Sequence, residues 1–403
     1  MNTEPLRPTN SRCRPPGAAM LRVAPAGGTA ARPLAPPLEL ASVWEMSSPE
    51  HAAAALGNPQ GAFVYRRDGH PNARSLGESL ADLHGASAAL VTGQGMSAMA
   101  AVALASLAPG DHVWIGQEMY GKTAHLFARH LAHWGVECTE FDPCHDQASQ
   151  QIRHHRPAMV VVETLTNPRL RVADLADLQR ACHDGGGRLV VDNTFATCGL
   201  CRPLDLGADV VVESLSKQVC GHSDSMLGLI CTRDDAWMAR AADVVSTFGL
   251  ASSPLDCYLT QRGLMSLDVR LERACENAKA LAEALQGLGG VRTVDYPGLP
   301  SHPGHEVARR QLGDRFGWML AFQVAADRPT VERIFHSLTA EFPFAPSLGD
   351  ARTTISHPAT TSHRGYAADR LAQLGIDYGT IRVSCGLEPA DWLVDTFCHL
   401  LRC

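Results

Sequence analysis

The chain has 403 residues, of which 45% are hydrophobic, and this is enough to bury a large core divided between two or more domains. Its formal net charge of −7 and the absence of a basic cluster argue against nucleic acid as a partner. No apolar run approaches the length of a membrane span, and no signal peptide with an apolar centre is visible. We therefore expect a cytoplasmic protein without a membrane partner.

Residues 1–62 are expected to form a disordered N-terminal segment followed by an arm. The first part of this region is rich in proline, glycine, arginine and alanine, and it lacks the periodicity that would bury one face of a helix. The stretch between Glu4 and Glu39 contains arginines but no acidic residue, which leaves an organelle transit peptide open as an alternative. Its prolines suit the amphipathic helix of such a peptide badly.

Residues 63–256 alternate between helical and strand periodicity, which predicts an α/β domain with a mostly parallel sheet buried on both faces. The predicted strands cover residues 88–92, 111–115, 159–163, 188–192, 210–214 and 227–232. The predicted helices between them cover residues 75–84, 96–107, 121–134 and 174–184. Open α/β sheets bind ligands at the C-terminal ends of their strands, which here carry Glu163, Asn167, Asp192, Ser214 and Lys217.

Residues 257–403 have a different pattern, which predicts a smaller C-terminal α+β domain. A long amphipathic segment at residues 264–288 is expected to place Arg270, Arg273, Glu276 and Lys279 on its polar side. Strands are predicted at residues 291–296, 319–324 and 380–384, and a helix is predicted at residues 329–341.

The thirteen cysteines are scattered through apolar segments and lack the regular spacing of a disulfide-stabilised secreted domain. We expect most of them to be small buried side chains. Cys198 and Cys201 have the spacing of a redox or zinc pair, but no second pair completes a set of four ligands. No metal site is predicted.

Lys217 and Asp192 carry the chemistry that the sequence indicates most strongly. A lysine amine can form a Schiff base with the aldehyde of pyridoxal phosphate, and an aspartate at the end of an apolar strand can keep the pyridine nitrogen of that cofactor protonated. Each residue alone is more simply explained as a surface lysine or a helix-capping aspartate. Their surroundings decide between these explanations.

The turn from Gly93 to Ala98 offers a competing interpretation. It follows an apolar strand, opens a helix and has Glu118 at the end of the next strand, as in a dinucleotide-binding fingerprint. This would make the protein a nicotinamide-dependent oxidoreductase. The same turn could instead present the backbone amides of Gly95 and Met96 to a single phosphate at a helix N-terminus.

A series of short motifs separates these interpretations, because they occur together in one order along the chain. They are YRRDGHP (65–71), MYGKT (119–123), ETLTNP (163–168), VDNT (191–194), SLSK (214–217) with GHSD (221–224), YPGLPSHP (296–303), SLGD (347–350) with HPA (357–359), and IRVS (381–384) with GLE (386–388). In these motifs, from about residue 33 to the C-terminus, the chain resembles the cysteine/methionine-metabolism family of pyridoxal phosphate enzymes. This family includes cystathionine γ-lyase, cystathionine γ-synthase, methionine γ-lyase and O-acetylhomoserine sulfhydrylase.

The resemblance implies a large domain of the fold-type-I pyridoxal phosphate transferase class, followed by the smaller C-terminal domain. Lys217 and Tyr120 would be catalytic, Lys217 through the Schiff base and Tyr120 by stacking on the cofactor ring and assisting proton transfer. The other cofactor-binding residues implied by the family are Tyr65, Arg67, Gly95, Met96, Asn167, Asp192, Ser214 and Ser216.

The resemblance also implies a substrate site and an assembly. Arg382, helped by Ser347 and Asn167, would bind the α-carboxylate of an amino-acid substrate. Tyr65 and Arg67 would reach the cofactor phosphate of the neighbouring subunit, so that sites are shared across a dimer interface within a homotetramer.

The implied reaction is γ-elimination or γ-replacement on a γ-substituted L-amino acid, such as a homoserine ester, a sulfur amino acid or a specialised analogue, through a vinylglycine ketimine. A C–S β-lyase of the same family and a scaffold that has lost catalysis are the alternatives. Lys122, Ser216, Gln218 and His70 depart from the usual family pattern, and Lys122 and His70 are expected to add polar groups near the substrate mouth.

Overall fold

The computed structural model describes residues 33–58 and 61–402. The expectations of disorder and of a transit peptide concern residues 1–32 and lie outside the described residues. After residue 33 the arm is extended and mostly exposed, and it contains a short helix α1 (Pro49–Leu56). A single β-bridge between Val43 and Tyr65 joins the arm to the start of the large domain.

Within the described residues, the larger sheet has seven strands: β1 (Ala88–Thr92), β2 (His112–Gly116), β3 (Glu137–Phe141), β4 (Met159–Glu163), β5 (Arg188–Asp192), β6 (Val210–Ser214) and β7 (Gly228–Thr232). Their order across the sheet is β1-β7-β6-β5-β4-β2-β3. The neighbours from β6 to β3 are parallel, and β7 runs antiparallel to both β6 and β1. Runs of buried valine form β4, β5 and β6, as expected for strands covered on both faces.

Helices cover the two faces of this sheet: α2 (Pro71–His84), α3 (Gly95–Ser106), α4 (Gly121–His125), α5 (Ala148–His155), α6 (Leu175–Asp184), α7 (Thr197–Leu200) and α8 (Asp235–Thr247). Helix α4 continues into a π-helical turn (Leu126–His130) and a 3-10 turn (Leu131–Trp134), and a further 3-10 turn covers Pro203–Leu206. Side-chain caps fix several starts, because Asp174 accepts a hydrogen bond from the backbone amide of Asp177 at α6 and Asp234 accepts one from Trp237 at α8.

The smaller sheet has four antiparallel strands in the described chain: β8 (Val291–Asp295), β9 (Met319–Val324), β10 (Thr354–Ser356) and β11 (Thr380–Ser384), in the order β10-β11-β9-β8. Its helices are α9 (Pro254–Leu264), α10 (Leu267–Gln286), α11 (His305–Leu312), α12 (Arg328–Glu341), α13 (Ala368–Gln373) and α14 (Ala390–Leu400), with a 3-10 turn at Pro358–Thr360. One hydrophobic cluster runs from the large sheet through α10 to β9 and β11.

The predicted fold class, a mostly parallel α/β sheet with a smaller α+β part, is confirmed. The proposed domain limits stay a prediction, and the division at residues 256–257 falls within α9. No helix among residues 33–58 and 61–402 has the length and apolarity needed to cross a membrane.

The expectation that Arg270 lies on the polar side of the long helix was wrong. Arg270 is buried, and its guanidinium donates hydrogen bonds to the backbone carbonyls of Gln218 at 2.7 Å, Val219 at 3.1 Å and Gly263 at 2.7 Å. Burial lowers its pKa to about 10. Arg270 therefore fastens the loop that follows Lys217 to the helices of the smaller part.

Candidate active site

A cleft of about 590 Å³ opens where the parallel strands β4, β5 and β6 end. Glu163, Asp192 and Ser214 are the last residues of these three strands, and all three line the cleft. Neighbouring parallel strands end at the same edge of a sheet, so residues that are far apart in the sequence meet here. The loop at residues 343–354 and Arg382 of β11 close the cleft from the smaller part.

Most of the predicted site residues meet in this cleft. Those that line it are Gly95, Met96, Tyr120, Asn167, Asp192, Ser214, Ser216, Lys217, Ser347 and Arg382. Tyr65 and Arg67 are not among the lining residues of the same chain. They lie together on the surface, with the Arg67 guanidinium 5.1 Å from the centre of the Tyr65 ring, and Tyr65 is 46% exposed.

Lys217 differs from the other lysines of the chain. The sequence contains only three, and Lys122 and Lys279 are exposed, whereas Lys217 is half-buried in the cleft. Its Nζ donates a hydrogen bond to Ser347 Oγ at 3.0 Å. Burial, and secondly the charge of Arg382, lower the pKa of the Lys217 amine. The cleft therefore holds an amine that loses its proton more readily than a surface lysine.

Two carboxyl groups line the same cleft at neighbouring strand ends, because Glu163 and Asp192 are paired residues of β4 and β5. Asp192 Oδ1 accepts a hydrogen bond from the amide of Thr194 at 3.0 Å, and Glu163 Oε1 accepts one from the amide of Tyr120 at 2.9 Å. Burial raises the pKa of Asp192, and burial followed by the charge of Asp192 raises that of Glu163 well above its usual value. Asp192 thus presents a hydrogen-bonded carboxyl group at the end of β5.

The N-terminus of α3 lies against the end of β6 and forms a concave corner. A Cβ added at Gly95 would lie 2.9 Å from the Cβ of Ser214, so only glycine permits this approach. The first amides of a helix have no partner within it and attract anions. Ser216 contributes less directly, because its hydroxyl donates to the Leu227 carbonyl at 3.2 Å and accepts from the Leu227 amide at 3.0 Å.

Arg382 is buried at the other side of the cleft and makes no salt bridge to an acid among the described residues. Its Nη1 donates to Asn167 Oδ1 at 2.7 Å and its Nη2 donates to the carbonyl of Ser347 at 3.0 Å. Burial lowers its pKa to about 10. A buried guanidinium held only by neutral acceptors provides a strong site for a carboxylate.

The expectation that His70 adds a polar group near the substrate mouth was wrong. His70 is buried, accepts the amide of Ala73 at the start of α2 through Nδ1, and lies 3.1 Å from Ser252 Oγ through Nε2. Burial lowers its pKa to about 4, so it is a neutral helix cap. His70 does not line the cleft. Lys122 is exposed between Tyr120 and Thr123, which both line the cleft, so its place near the mouth stays a prediction.

Cys198 and Cys201, which have the spacing of a redox or zinc pair, are both free and buried. Burial raises the pKa of Cys201 to about 12 and that of Cys198 well above its usual value. Over the described part of the chain, no three histidine, cysteine or acidic side chains group in a way that could hold a metal ion.

Sequence reasoning missed part of the cleft wall, including Phe195, Met226, Thr354, Ser362 and Arg352. Most are neutral residues without a chemical signal of their own. Arg352 could have been noticed, because it is a charged residue two positions after the SLGD motif.

The side chains present fit pyridoxal phosphate. A half-buried amine can attach the aldehyde, a carboxylate can pair with the ring nitrogen, and a glycine-containing helix N-terminus beside a serine can bind the phosphate. These groups face one cleft, which also contains the buried guanidinium of Arg382. The same geometry favours the single-phosphate interpretation of the Gly93–Ala98 turn over the dinucleotide one.

The lowered pKa of Lys217 predicts how the protein without cofactor captures pyridoxal phosphate at different pH values. Only the neutral amine attacks an aldehyde, so the lowered pKa moves the midpoint of the capture rate to lower pH than for an ordinary lysine. Arg382→Met removes a nearby positive charge, and we expect it to raise that pKa and shift the midpoint upward. Stopped-flow absorbance across a pH series measures this shift.

Arg273→Met, on the exposed face of α10, is the matched control and should leave the midpoint in place. A midpoint that does not move in Arg382→Met would show that the Arg382 charge does not act on the amine.

The sequence profile of a protein family described as "Cys/Met metabolism PLP-dependent enzyme", where PLP is pyridoxal phosphate, matches residues 20–401. An L-methionine gamma-lyase from Fusobacterium nucleatum subsp. polymorphum is 34% identical over 363 residues, which cover 90% of this chain and 91% of the relative. A cystathionine gamma-synthase from Mycobacterium tuberculosis is 37% identical over 350 residues, covering 87% and 89%. The crystal structure of cystathionine gamma-synthase from Xanthomonas oryzae pv. oryzae in complex with cystathionine has 34% identity and a TM-score of 0.90, covering 96% of this chain and 98% of that one.

These matches extend over both sheets and over the whole cleft, and they agree with the amine, carboxylate and anion-binding groups found there. The chain therefore belongs to the Cys/Met metabolism family of pyridoxal phosphate-dependent enzymes.

Proposed function

We propose that the protein catalyses γ-elimination or γ-replacement on a γ-substituted L-amino acid, such as a homoserine ester or a sulfur amino acid. The names of its relatives support this proposal, since they describe γ-lyases and γ-synthases. A β-lyase of the same family stays the alternative, because elimination at Cβ would use the same amine and the same carboxylate anchor.

The observation that carries the proposal is the contact of Lys217 and Arg382 with the same residue. The hydroxyl of Ser347 accepts a hydrogen bond from Lys217 Nζ at 3.0 Å, and the carbonyl of Ser347 accepts one from Arg382 Nη2, also at 3.0 Å. A substrate whose α-carboxylate is bound by Arg382 therefore has its Cα close to Lys217 Nζ. This is the arrangement that removal of the Cα proton requires.

The remaining residues of the cleft would hold the cofactor. Bound pyridoxal phosphate supplies an electron sink for the negative charge that develops when the Cα proton is removed. Asp192 would bind its ring nitrogen, Asn167 its ring oxygen, and Tyr120 would stack on the ring. The phosphate would be bound by Gly95, Met96, Ser214 and Ser216, and Ser216 would first exchange its hydrogen bond to Leu227.

Lys217 and Tyr120 would share the proton transfers. The lowered pKa of Lys217 leaves part of the amine neutral, so that it can accept the proton from Cα and return it later in the reaction. Tyr120 is 47% exposed at the wall of the cleft, where it can meet the leaving group at Cγ.

Tyr65 and Arg67 would complete the site of a neighbouring subunit. Both are exposed, beside the bridge that joins the N-terminal arm to the domain, and an arginine fork suits a phosphate well. The active form would then be a dimer at least, and we propose a homotetramer.

Turnover of O-acetyl-L-homoserine tests the proposed reaction. The purified protein, loaded with pyridoxal phosphate, is expected to convert it with water to 2-oxobutanoate, acetate and ammonia. In the presence of a thiol such as L-cysteine, part of the flux should go to the thioether instead. With cystathionine as substrate, the γ-reaction gives 2-oxobutanoate and the β-reaction gives pyruvate, so identifying the keto acid distinguishes the two reactions. Pyruvate alone would replace the proposal with the β-lyase.

A further inference from the structure

One cationic side chain in the cleft has no role in the proposed reaction. The charged lining residues of the described chain are Glu163, Asp192, Lys217, Asp350, Arg352 and Arg382. Asp350 and Arg352 lie in the loop between Ser347 and β10, on the wall contributed by the smaller part. The Arg352 side chain is 71% exposed, which places it at the open mouth rather than near the strand ends.

The first half of the Arg352 side chain is held in one direction. Asp350 Oδ1 accepts both the backbone amide of Arg352 at 2.9 Å and its Nε at 3.1 Å. The other oxygen of this carboxylate accepts the hydroxyl of Ser223 at 2.6 Å. Burial opposes ionisation of Asp350, but the hydrogen bonds from Ser223 and Arg352 keep its pKa below the usual value. Asp350 is thus a charged and fully engaged support for the arginine.

Ser223 has a backbone φ of 56°, in the left-handed region that a residue with a side chain seldom adopts. It lies six residues after Lys217 in the segment that follows β6, so its hydrogen bond to Asp350 connects the Arg352 loop to the segment that carries the amine. The Arg352 guanidinium is therefore held in place as part of the cleft wall.

The two terminal nitrogens of the Arg352 guanidinium are available to bind a ligand. Arg352 uses Nε toward Asp350, and within residues 33–58 and 61–402 its two terminal nitrogens have no hydrogen-bond partner. Asp350 is the acid that contacts Arg352, and the uncharged residues Met226, Pro343, Ala345 and Pro346 line the same cleft. Two parallel N–H groups of an arginine match the two oxygens of a carboxylate.

We propose that Arg352 binds a carboxylate at the far end of the substrate's γ-substituent, so that the enzyme selects half-esters of dicarboxylic acids over esters and thioethers with neutral ends. This inference rests on the proposed function for its reaction. Arg382 would anchor the α-carboxylate and Arg352 the distal one, and the substrate would be bound through both ends with Cα beside Lys217. Because the guanidinium is exposed, its contribution is moderate and is screened by salt.

The ratio of kcat/KM for O-succinyl-L-homoserine to that for O-acetyl-L-homoserine tests this specificity. Arg352→Met should lower the ratio by about fivefold, as expected for an exposed ion pair, and Arg352→Glu should lower it further by charge repulsion. The loss should lie in KM and should shrink at high ionic strength. O-phospho-L-homoserine is included because its anionic group lies close to Cγ. Its kcat/KM relative to that of O-acetyl-L-homoserine should change less in Arg352→Met, which separates recognition of a distal carboxylate from recognition of any anionic substituent. Arg273→Met is the matched control and should leave the ratio unchanged.

A binding measurement keeps the inference separate from the reaction. L-2-Aminosuberate and L-2-aminooctanoate have the same chain length, lack a leaving group, and differ only in a terminal carboxylate or methyl. Their binding to the cofactor-loaded protein is followed by its visible absorption. The wild type should prefer aminosuberate, and Arg352→Met should lose the preference.

Equal affinities for the two ligands in the wild type, or a preference that survives Arg352→Glu, would overturn the role of Arg352. A preference for aminosuberate in a protein that turns over no homoserine ester would retain that role and reject the proposed reaction instead.

Discussion

Lys217→Ala is expected to abolish covalent attachment of pyridoxal phosphate and to lower kcat for the proposed reaction by about 10⁴-fold, the upper range for loss of a positioned proton-transfer group. The reason is that no other lysine can take its place. The chain has three lysines, and neither Lys122 nor Lys279 lines the cleft. Borohydride reduction of the loaded protein followed by peptide mass spectrometry should find the pyridoxyl group on the Lys217 peptide alone.

Lys279→Ala is the matched control, because Lys279 is exposed on α10, and it should keep the wild-type colour and rate. Mass and colour are measured after dialysis, which removes pyridoxal phosphate that is held without a covalent bond. A Lys217→Ala protein that stays covalently labelled and active would exclude Lys217 as the attachment residue.

The sequence alone predicted the edge of the sheet on which this site is built. The strands β4, β5 and β6 consist of apolar runs that end in Glu163, Asp192 and Ser214, and a parallel sheet needs such runs because both faces are covered. Those strands were predicted at the residues where they are found. The polar residue that ends each run then marks the ligand edge without any knowledge of the rest of the fold.

Elements whose burial depends on distant partners were not predictable in this way. Strand β3 is an edge strand with exposed Glu137 and no apolar run, so it carries no signal of its own. Arg270 was assigned to the wrong face because an arginine in a helix is usually solvated. Its partners are backbone carbonyls of Gln218 and Val219, about fifty residues earlier in the chain, and the sequence does not indicate such contacts.

The positions of the site residues contributed by the smaller part were also not predictable from the sequence alone. Arg382 was suspected because its neighbours looked buried, and they are buried in β11. Its meeting with Lys217 through Ser347 depends on the packing of two sheets, which periodicity cannot supply. The shared role of Tyr65 and Arg67 rests on resemblance, since these residues lie outside the cleft of their own chain.

A fully buried contact between a histidine and a carboxyl group beneath the cleft gives the second large expected effect. Glu213 precedes Ser214 on β6, and its Oε1 lies 3.3 Å from Nε2 of His84, the last residue of α2. Both side chains are fully buried. Glu213 Oε1 also accepts Asn193 Nδ2 at 2.8 Å, and Asn193 follows Asp192 on the neighbouring strand. The pair therefore supports the two strand ends that carry the proposed ring-nitrogen and phosphate ligands.

His84→Leu fills a similar volume but removes the polar neighbour of a buried carboxyl group. A buried polar group left without its partner costs about 1–3 kcal/mol in the free energy of unfolding. We expect a lower midpoint of thermal unfolding and less pyridoxal phosphate retained per subunit, because Ser214 and Asp192 adjoin the disturbed residues. Differential scanning calorimetry and visible absorbance of the same samples measure both.

Glu213→Gln and the double variant His84→Leu/Glu213→Gln decide whether the pair is the cause. The glutamine keeps an oxygen for Asn193 without a charge, so Glu213→Gln alone should cost less than His84→Leu. The double variant leaves no buried carboxyl group without its neighbour and should recover most of the stability and cofactor lost in His84→Leu. Strictly additive losses would mean that His84 acts through packing alone, and the strand ends would then owe their position to the hydrophobic core around them.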